Sequence, residues 1–272
     1  MLKNQLLYFT APSRSGSSLL ETLLNCLKYI VIVNEPLDSY RITDRKTISL
    51  VYNKILKDLS KGLVVQRVDK EGNEVTDTFP NKDISWQKKR IDFYPNSVIG
   101  IKKSFPSLGN KDWHDVFIKE WPTFVGWFTK EKGGKVLAII RNPIYTILSW
   151  KTTFDDLNSD TKNQCEAWNR IVSTLIKTRD KTYLVKYESL IENISEEIQK
   201  IAKFLGVDFE KIKEFPVIRK NHNTLEYYMN NRKLEGAGIG RSIEIIVQEC
   251  NSVSRELGYD LKEDIKLLSN VR

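Results

Sequence analysis

Two short segments of this chain carry residue types suited to gripping an oxyanion. The first, Ser13, Arg14, Ser15, Gly16, Ser17 and Ser18, lies between an apolar run and a stretch of helical periodicity. A glycine-bearing loop that leads from a strand into a helix aims backbone N–H groups and the positive helix end at one point. Arg14 and the hydroxyls add charge and hydrogen bonds there. The same residues also read as a small-residue turn whose serines cap the helix. They do not form a Walker A loop, because no lysine follows the glycine and Arg14 precedes it. In the second segment, Arg141-Asn142-Pro143 leaves a strand end and Ser149 follows two helical turns later. Alone, it also reads as a helix start with Pro143 in its first turn and a surface arginine. Ligands of open α/β sheets gather beyond the carboxyl ends of the strands, so Arg14 and Arg141 should face one crevice.

Those positions require strands that stop at the loops and helices that leave them. Leu6 to Thr10 reads as a first strand, and Leu19, Leu20, Leu23, Leu24 and Leu27 recur at helical spacing after it. Ile30 to Val33 is a β-branched run of the kind expected in a central strand, and it ends at Asn34-Glu35-Pro36. Further strands are expected at Val98 to Ile101, Val136 to Ile140 and Tyr183 to Val185. Helices are expected at Trp113 to Phe128, from Ile144, at Ala167 to Ile176, at Ile194 to Leu205 and at Ser242 to Leu257, with Pro122 bending or splitting the first of these. This is the pattern of βαβ units around a mostly parallel central sheet flanked by helices, an α/β fold. Residues from about 40 to 96 break the rhythm, with a helix near Ser49 to Leu59 and a hairpin of Leu63 to Val68 with Val75 to Phe79. One domain over residues 1–272 with an insertion there is the simplest account.

The 272 residues carry 43 basic and 35 acidic side chains, a formal net charge of +8 that suits an anionic partner. Hydrophobic residues at 40% and charged residues at 29% exclude collagen-like, coiled-coil and disordered readings. Cys26, Cys165 and Cys250 form no CxxC or Cys/His cluster, which favours a reducing, cytoplasmic compartment. Glu21 and Lys28 interrupt the richest apolar run, well short of the roughly 18–20 residues that span a bilayer, so no membrane span is expected.

Taken together, the two loops resemble those of the PAPS-dependent sulfotransferases, and more closely the carbohydrate and bacterial types than the small-molecule cytosolic branch. The resemblance runs from Leu6 to Tyr259, because Val185-Lys186-Tyr187-Glu188-Ser189-Leu190 and Leu205-Gly206 also match in order. It implies a P-loop-like fold and 3′-phosphoadenosine 5′-phosphosulfate (PAPS) as co-substrate. Ser13 to Ser18 would hold the 5′-phosphosulfate, and Arg141 with Ser149 the 3′-phosphate. Tyr187 would lie near the adenine, and Arg232, Lys233 and Arg241 resemble the basic segment that closes on the 3′-phosphate. Lys102 takes the position of a lysine that contacts the transferring group, with Arg14 beside it. Ser104 stands where the small-molecule branch has its catalytic histidine, so Glu35, in a Glu-Pro segment like that of carbohydrate sulfotransferases, is the expected base. Glu35 also reads as a structural carboxylate paired with Arg14. His114 reads as a helix residue, His222 is a reserve base, and Trp86, Tyr94, Trp113, Trp121 and Trp127 read as core more readily than as an acceptor groove.

A donor with two anionic ends needs two arginine-centred sites, which is what the sequence offers. Fixed cations and N–H dipoles can stabilise the departing phosphate, so no metal is expected. The expected acceptor is a carbohydrate or small hydroxylated metabolite, with neither nucleic acid nor membrane as partner. A P-loop nucleotide kinase or NTPase is the alternative enzyme, disfavoured by the absent P-loop lysine. A non-enzymatic nucleic-acid binder is the other alternative, disfavoured because the lysines are scattered.

Overall fold

A computed structural model of the chain describes residues 4–34, 36–37, 43–68, 85–90, 94, 96–105, 111–153, 160–209, 228, 238–263 and 265. Five parallel strands form the main sheet: β1 (Gln5–Pro12), β2 (Ile30–Asn34), β5 (Val98–Phe105), β6 (Lys135–Ile140) and β7 (Thr182–Lys186). Their order is β2-β5-β1-β6-β7, so β1 is central, with Leu7 opposite Gly100 on one side and Lys135 on the other. Side chains alternate between the faces of a strand. Leu7, Phe9, Ala11, Leu137 and Ile139 accordingly join a core with α1 (Ser17–Asn25), and with α6 (Tyr187–Glu192) and α7 (Ile194–Leu205). Tyr8, Ile99, Ile101, Val136, Ala138 and Ile140 face the other way, toward α2 (Arg45–Leu59), α3 (Lys111–Lys130), α4 (Pro143–Thr153), α5 (Thr161–Lys177) and α8 (Ile239–Glu256). Cover on both faces explains why these strands read as near-continuous apolar runs.

The region that breaks the rhythm contributes α2 and a separate antiparallel pair, β3 (Leu63–Val68) with β4 (Ser85–Arg90). The expected hairpin arm Val75 to Phe79 lies outside the described residues, and the observed partner of β3 is β4. Helix α2 starts at Arg45 rather than Ser49, because Asp44 caps it by accepting from the amides of Lys46 (2.9 Å) and Thr47 (3.1 Å). Its buried face fixes it to the sheet, where the Tyr52 hydroxyl donates to the Leu7 carbonyl.

Helix α3 continues through Pro122 and is not split there. Aromatic packing anchors it there: Tyr8 meets Phe124 edge-on at 4.9 Å and Trp121 at 6.0 Å between ring centroids. Trp121 and Trp127 are buried, as the core reading has it, and the Trp121 indole N–H donates to Thr178 Oγ1 at 3.0 Å. Among the described residues no helix is long and apolar enough to cross a membrane.

Candidate active site

The first loop begins where β1 stops at Pro12. Its backbone is tied on both sides: Ser13 N–H donates to the Phe105 carbonyl (2.8 Å), and Trp150 Nε1 donates to the Ser13 carbonyl (2.8 Å). Arg14 adopts φ 64° and Gly16 φ 86°, which turns the chain sharply into α1. A non-glycine residue in that left-handed region costs of order 1–3 kcal/mol and persists only where its surroundings enforce it. Gly16 is the N-cap of α1 and no side chain caps the helix. The helical ladder starts with Leu20 N–H to Gly16 O (3.1 Å), which leaves the amides of Ser17, Ser18 and Leu19 ahead of it.

The serines therefore do something other than cap α1. Ser17 Oγ lies 3.1 Å from Ser104 Oγ, and Ser18 Oγ accepts from the Lys102 ammonium at 3.2 Å. The hydroxyls of Ser13 and Ser15 are buried with no hydrogen-bond partner among the described residues. Buried hydroxyls without partners are costly, and a loop that carries two of them beside open amides is suited to an oxyanion.

The second loop leaves β6, next to β1 in the sheet. Asn142 caps α4 by accepting from Ile144 N–H (2.9 Å), and Thr146 Oγ1 donates to the carbonyls of Arg141 (3.3 Å) and Asn142 (3.1 Å). These bonds fix the turn from which the Arg141 side chain departs. Arg141 Nη1 donates to the Arg14 carbonyl at 3.3 Å, and Arg14 Nε donates to Ser149 Oγ at 3.1 Å. The two loops thus meet at adjoining strand ends and share a hydrogen-bond network. Arg141 is only 5% exposed, with its guanidinium 4.8 Å from the Tyr187 ring centroid and 5.5 Å from that of Tyr145. Tyr187 also packs on Gly16 so closely that a Cβ there would fall 2.2 Å from its Cδ2. Burial raises the Tyr187 phenol, with the Arg141 charge pulling it back down.

Lys102 and Lys103 occupy opposite faces of β5, and both are buried. Lys102 lies under α1, where it is only 2% exposed instead of standing in an open cleft. Its ammonium pairs with Glu21 at 3.0 Å, both side chains being nearly inaccessible. The sequence showed Glu21 only as an interruption of an apolar run. Its spacing of three residues from Ser18, on one face of α1, was the available signal. Glu188, next to Tyr187, accepts from Asn142 N–H at 3.0 Å and from the Tyr259 hydroxyl at 2.7 Å.

Glu35, Arg232, Lys233 and His222 lie outside the described residues, as do the side chains of His114, Trp86 and Trp113. Arg241 is exposed in the first turn of α8, and among the described residues no hydrogen bond or ion pair joins it to either loop. No cluster of three or more metal-ligating side chains occurs among the described residues.

An open helix N-terminus and two arginine-bearing loops, at adjoining ends of a parallel sheet, define an α/β protein equipped to hold an anionic ligand. The sulfotransferase domain family matches residues 7–241, and the chain belongs to that family and is a transferase. No curated protein matches the sequence. Among solved structures it is similar to a sulfotransferase from Alicyclobacillus acidocaldarius, with 10% identity, 92% of this chain and 96% of that chain covered, and a TM-score of 0.46. It is also similar to the sulfotransferase domain of the curacin biosynthetic pathway, with 14% identity, 96% and 99% covered, and a TM-score of 0.46. Mouse sulfotransferase SULT7A1 complexed with PAP matches with 13% identity, 77% and 61% covered, and a TM-score of 0.41.

Proposed function

We propose that this transferase moves the sulfuryl group of PAPS to a hydroxyl of a carbohydrate or other small hydroxylated metabolite, and does so without a metal. The observation that carries the reading is the junction of the two loops, Arg141 Nη1 to the Arg14 carbonyl and Arg14 Nε to Ser149 Oγ. The residues present fit such a donor: the open amides after Gly16 and the unpartnered hydroxyls of Ser13 and Ser15 suit one anionic end. Arg141 and Ser149 suit the other, and the Tyr187 ring, packed against the Arg141 guanidinium and Gly16, is assigned to the adenine side. Bound there, PAPS supplies an activated sulfuryl group on a 5′-phosphate leaving group.

Around it the chain's own groups have distinct tasks. Arg14 and the amides of Ser17 and Ser18 stabilise negative charge at the 5′ end, because fixed dipoles in a site shielded from water need no reorganisation. Lys102 acts through Ser18: its ammonium polarises that hydroxyl, which then donates more strongly toward the loop. Glu35 directly follows Asn34, the register partner of Lys102, and we assign it the removal of the acceptor proton. Arg232, Lys233 and Arg241 supply the basic segment for the 3′-phosphate in the same proposal. A cytoplasmic setting belongs to it too, because Cys26, Cys165 and Cys250 form no disulfide.

The test is thermal stabilisation by 3′-phosphoadenosine 5′-phosphate against ATP, with and without EDTA, since a ligand stabilises the fold that binds it. A shift with the bisphosphate that survives EDTA, little shift with ATP, and a much smaller bisphosphate shift in Arg141→Ala are expected. Strong Mg²⁺-dependent stabilisation by ATP would replace this reading with that of a nucleotide kinase.

A further inference from the structure

Tyr259 lies past residue 241, where the family match ends, yet it reaches back into the donor-binding region. Its hydroxyl donates to Glu188 Oε2 at 2.7 Å, while Glu188 Oε1 accepts the Asn142 amide at 3.0 Å. Asn142 in turn caps α4, and its neighbour Arg141 reaches the Arg14 carbonyl and lies over the Tyr187 ring. One carboxylate therefore joins three parts of the chain: the turn after β6, the start of α6 and the segment after α8.

Burial pushes the Glu188 carboxyl up, and the Tyr259 hydrogen bond, followed by the Asn142 amide, opposes that rise. Without the hydroxyl, Oε2 loses its 2.7 Å hydrogen bond, and a buried carboxylate that gives up such a bond readjusts toward the donors that remain. Any such movement drags on the Asn142 amide at the other oxygen. The Arg141 turn moves with it, because Arg141 and Asn142 are adjacent and share Thr146 Oγ1 as a donor to their carbonyls.

We propose that Tyr259 is a positioning residue for the 3′-phosphate site, acting through the Glu188 carboxylate on the Asn142 amide and so on the placement of Arg141. This rests on the PAPS reading above. Tyr259 touches no ligand in this scheme; it fixes the carboxylate that fixes the turn. Tyr259→Phe is a clean perturbation, since it changes no charge and keeps the ring, 5.3 Å below the Lys186 ammonium.

The experiment compares, by calorimetry, binding of 3′-phosphoadenosine 5′-phosphate and of adenosine 5′-phosphate to wild type and Tyr259→Phe. In the variant the bisphosphate Kd should rise about five- to tenfold, as expected when a charge-assisted contact is loosened but not removed. The Kd of the monophosphate, which has no 3′-phosphate, should stay within about twofold, because it does not use Arg141 at that end. A purely structural role would weaken both ligands alike, and that result overturns the proposal. A variant with wild-type Kd for both ligands overturns it as well. If wild type itself shows no preference for the bisphosphate, the PAPS reading fails and takes this one with it. A preserved wild-type preference that Tyr259→Phe leaves intact refutes the positioning role alone.

Discussion

Replacing Gly16 by alanine separates two physical demands that meet at one backbone position. The first is conformational: φ 86° is open to glycine, whereas an L side chain there costs about 1–2 kcal/mol. The second is steric, because the new Cβ would sit 2.2 Å from Tyr187 Cδ2 and 2.5 Å from Cε2. The ring cannot withdraw at no cost, since it packs against the Arg141 guanidinium on its other contacts. Overpacking of this kind costs about 1–3 kcal/mol, so Gly16→Ala should destabilise by about 2–5 kcal/mol. Gly133 isolates the first demand: it has φ 62° and nothing within 4 Å of its would-be Cβ, so Gly133→Ala should cost only the conformational share, about 1–2 kcal/mol. Gly240, with open space and no positive φ, should gain a little from alanine through helix propensity, by up to about 1 kcal/mol. Urea denaturation of the three variants measures the set, and calorimetry with 3′-phosphoadenosine 5′-phosphate measures whether Tyr187 has moved. A Gly16→Ala protein no less stable than Gly133→Ala would refute the packing of Tyr187 on the loop. An unchanged bisphosphate affinity in that variant would refute the use of the Tyr187 face in binding.

Further outcomes follow from the buried charges. Lys102→Met should cost about 3–5 kcal/mol in urea denaturation, because it strands the Glu21 carboxylate away from water; Glu21→Met/Lys102→Met should recover most of that loss. A double variant no more stable than the single would show that the pair is not the reason. Glu188 titrates with its folded value raised above the ordinary 4.5, mainly by burial, so only between those two values does the native state hold a proton that the unfolded chain releases. Stability from this group is full below 4.5 and is lost as pH rises through the raised folded value. The stability of wild type relative to Glu188→Gln should therefore fall across that window in denaturation at stepped pH, and a difference that rises with pH would contradict the assignment.

The strands of the main sheet were legible in the sequence because burial on both faces writes an unmistakable signal. Val31, Ile32 and Val33, or Leu137 to Ile140, leave no polar position for an alternative, although the sheet order makes β2 an edge strand and not the central one its run suggested. The same holds for the stop of α7, where Gly206 at φ 73° ends the helix as a glycine should, and Asn193 caps its start. Local signals mislead where a distant partner decides. Pro122 suggested a bend or a split, but α3 continues through it, with Trp121 and Phe124 on either side packed together in the aromatic cluster. The serines after Pro12 looked like helix caps, yet Ser17 and Ser18 reach Ser104 and Lys102 on β5.

The sequence by itself determined the order of the five main-sheet strands along the chain, the two arginine-bearing loops, and their likeness to a sulfotransferase, because these rest on residues close together in the chain. Tertiary structure alone decided that the two arginines adjoin, since only the sheet order puts β1 beside β6. It alone turned Glu21 into the partner of Lys102, 81 residues away, and Tyr259 into the partner of Glu188, 71 residues away. Periodicity reports which face of an element is buried; it carries no record of which other element covers that face, and charge pairing in the interior is settled by that second fact.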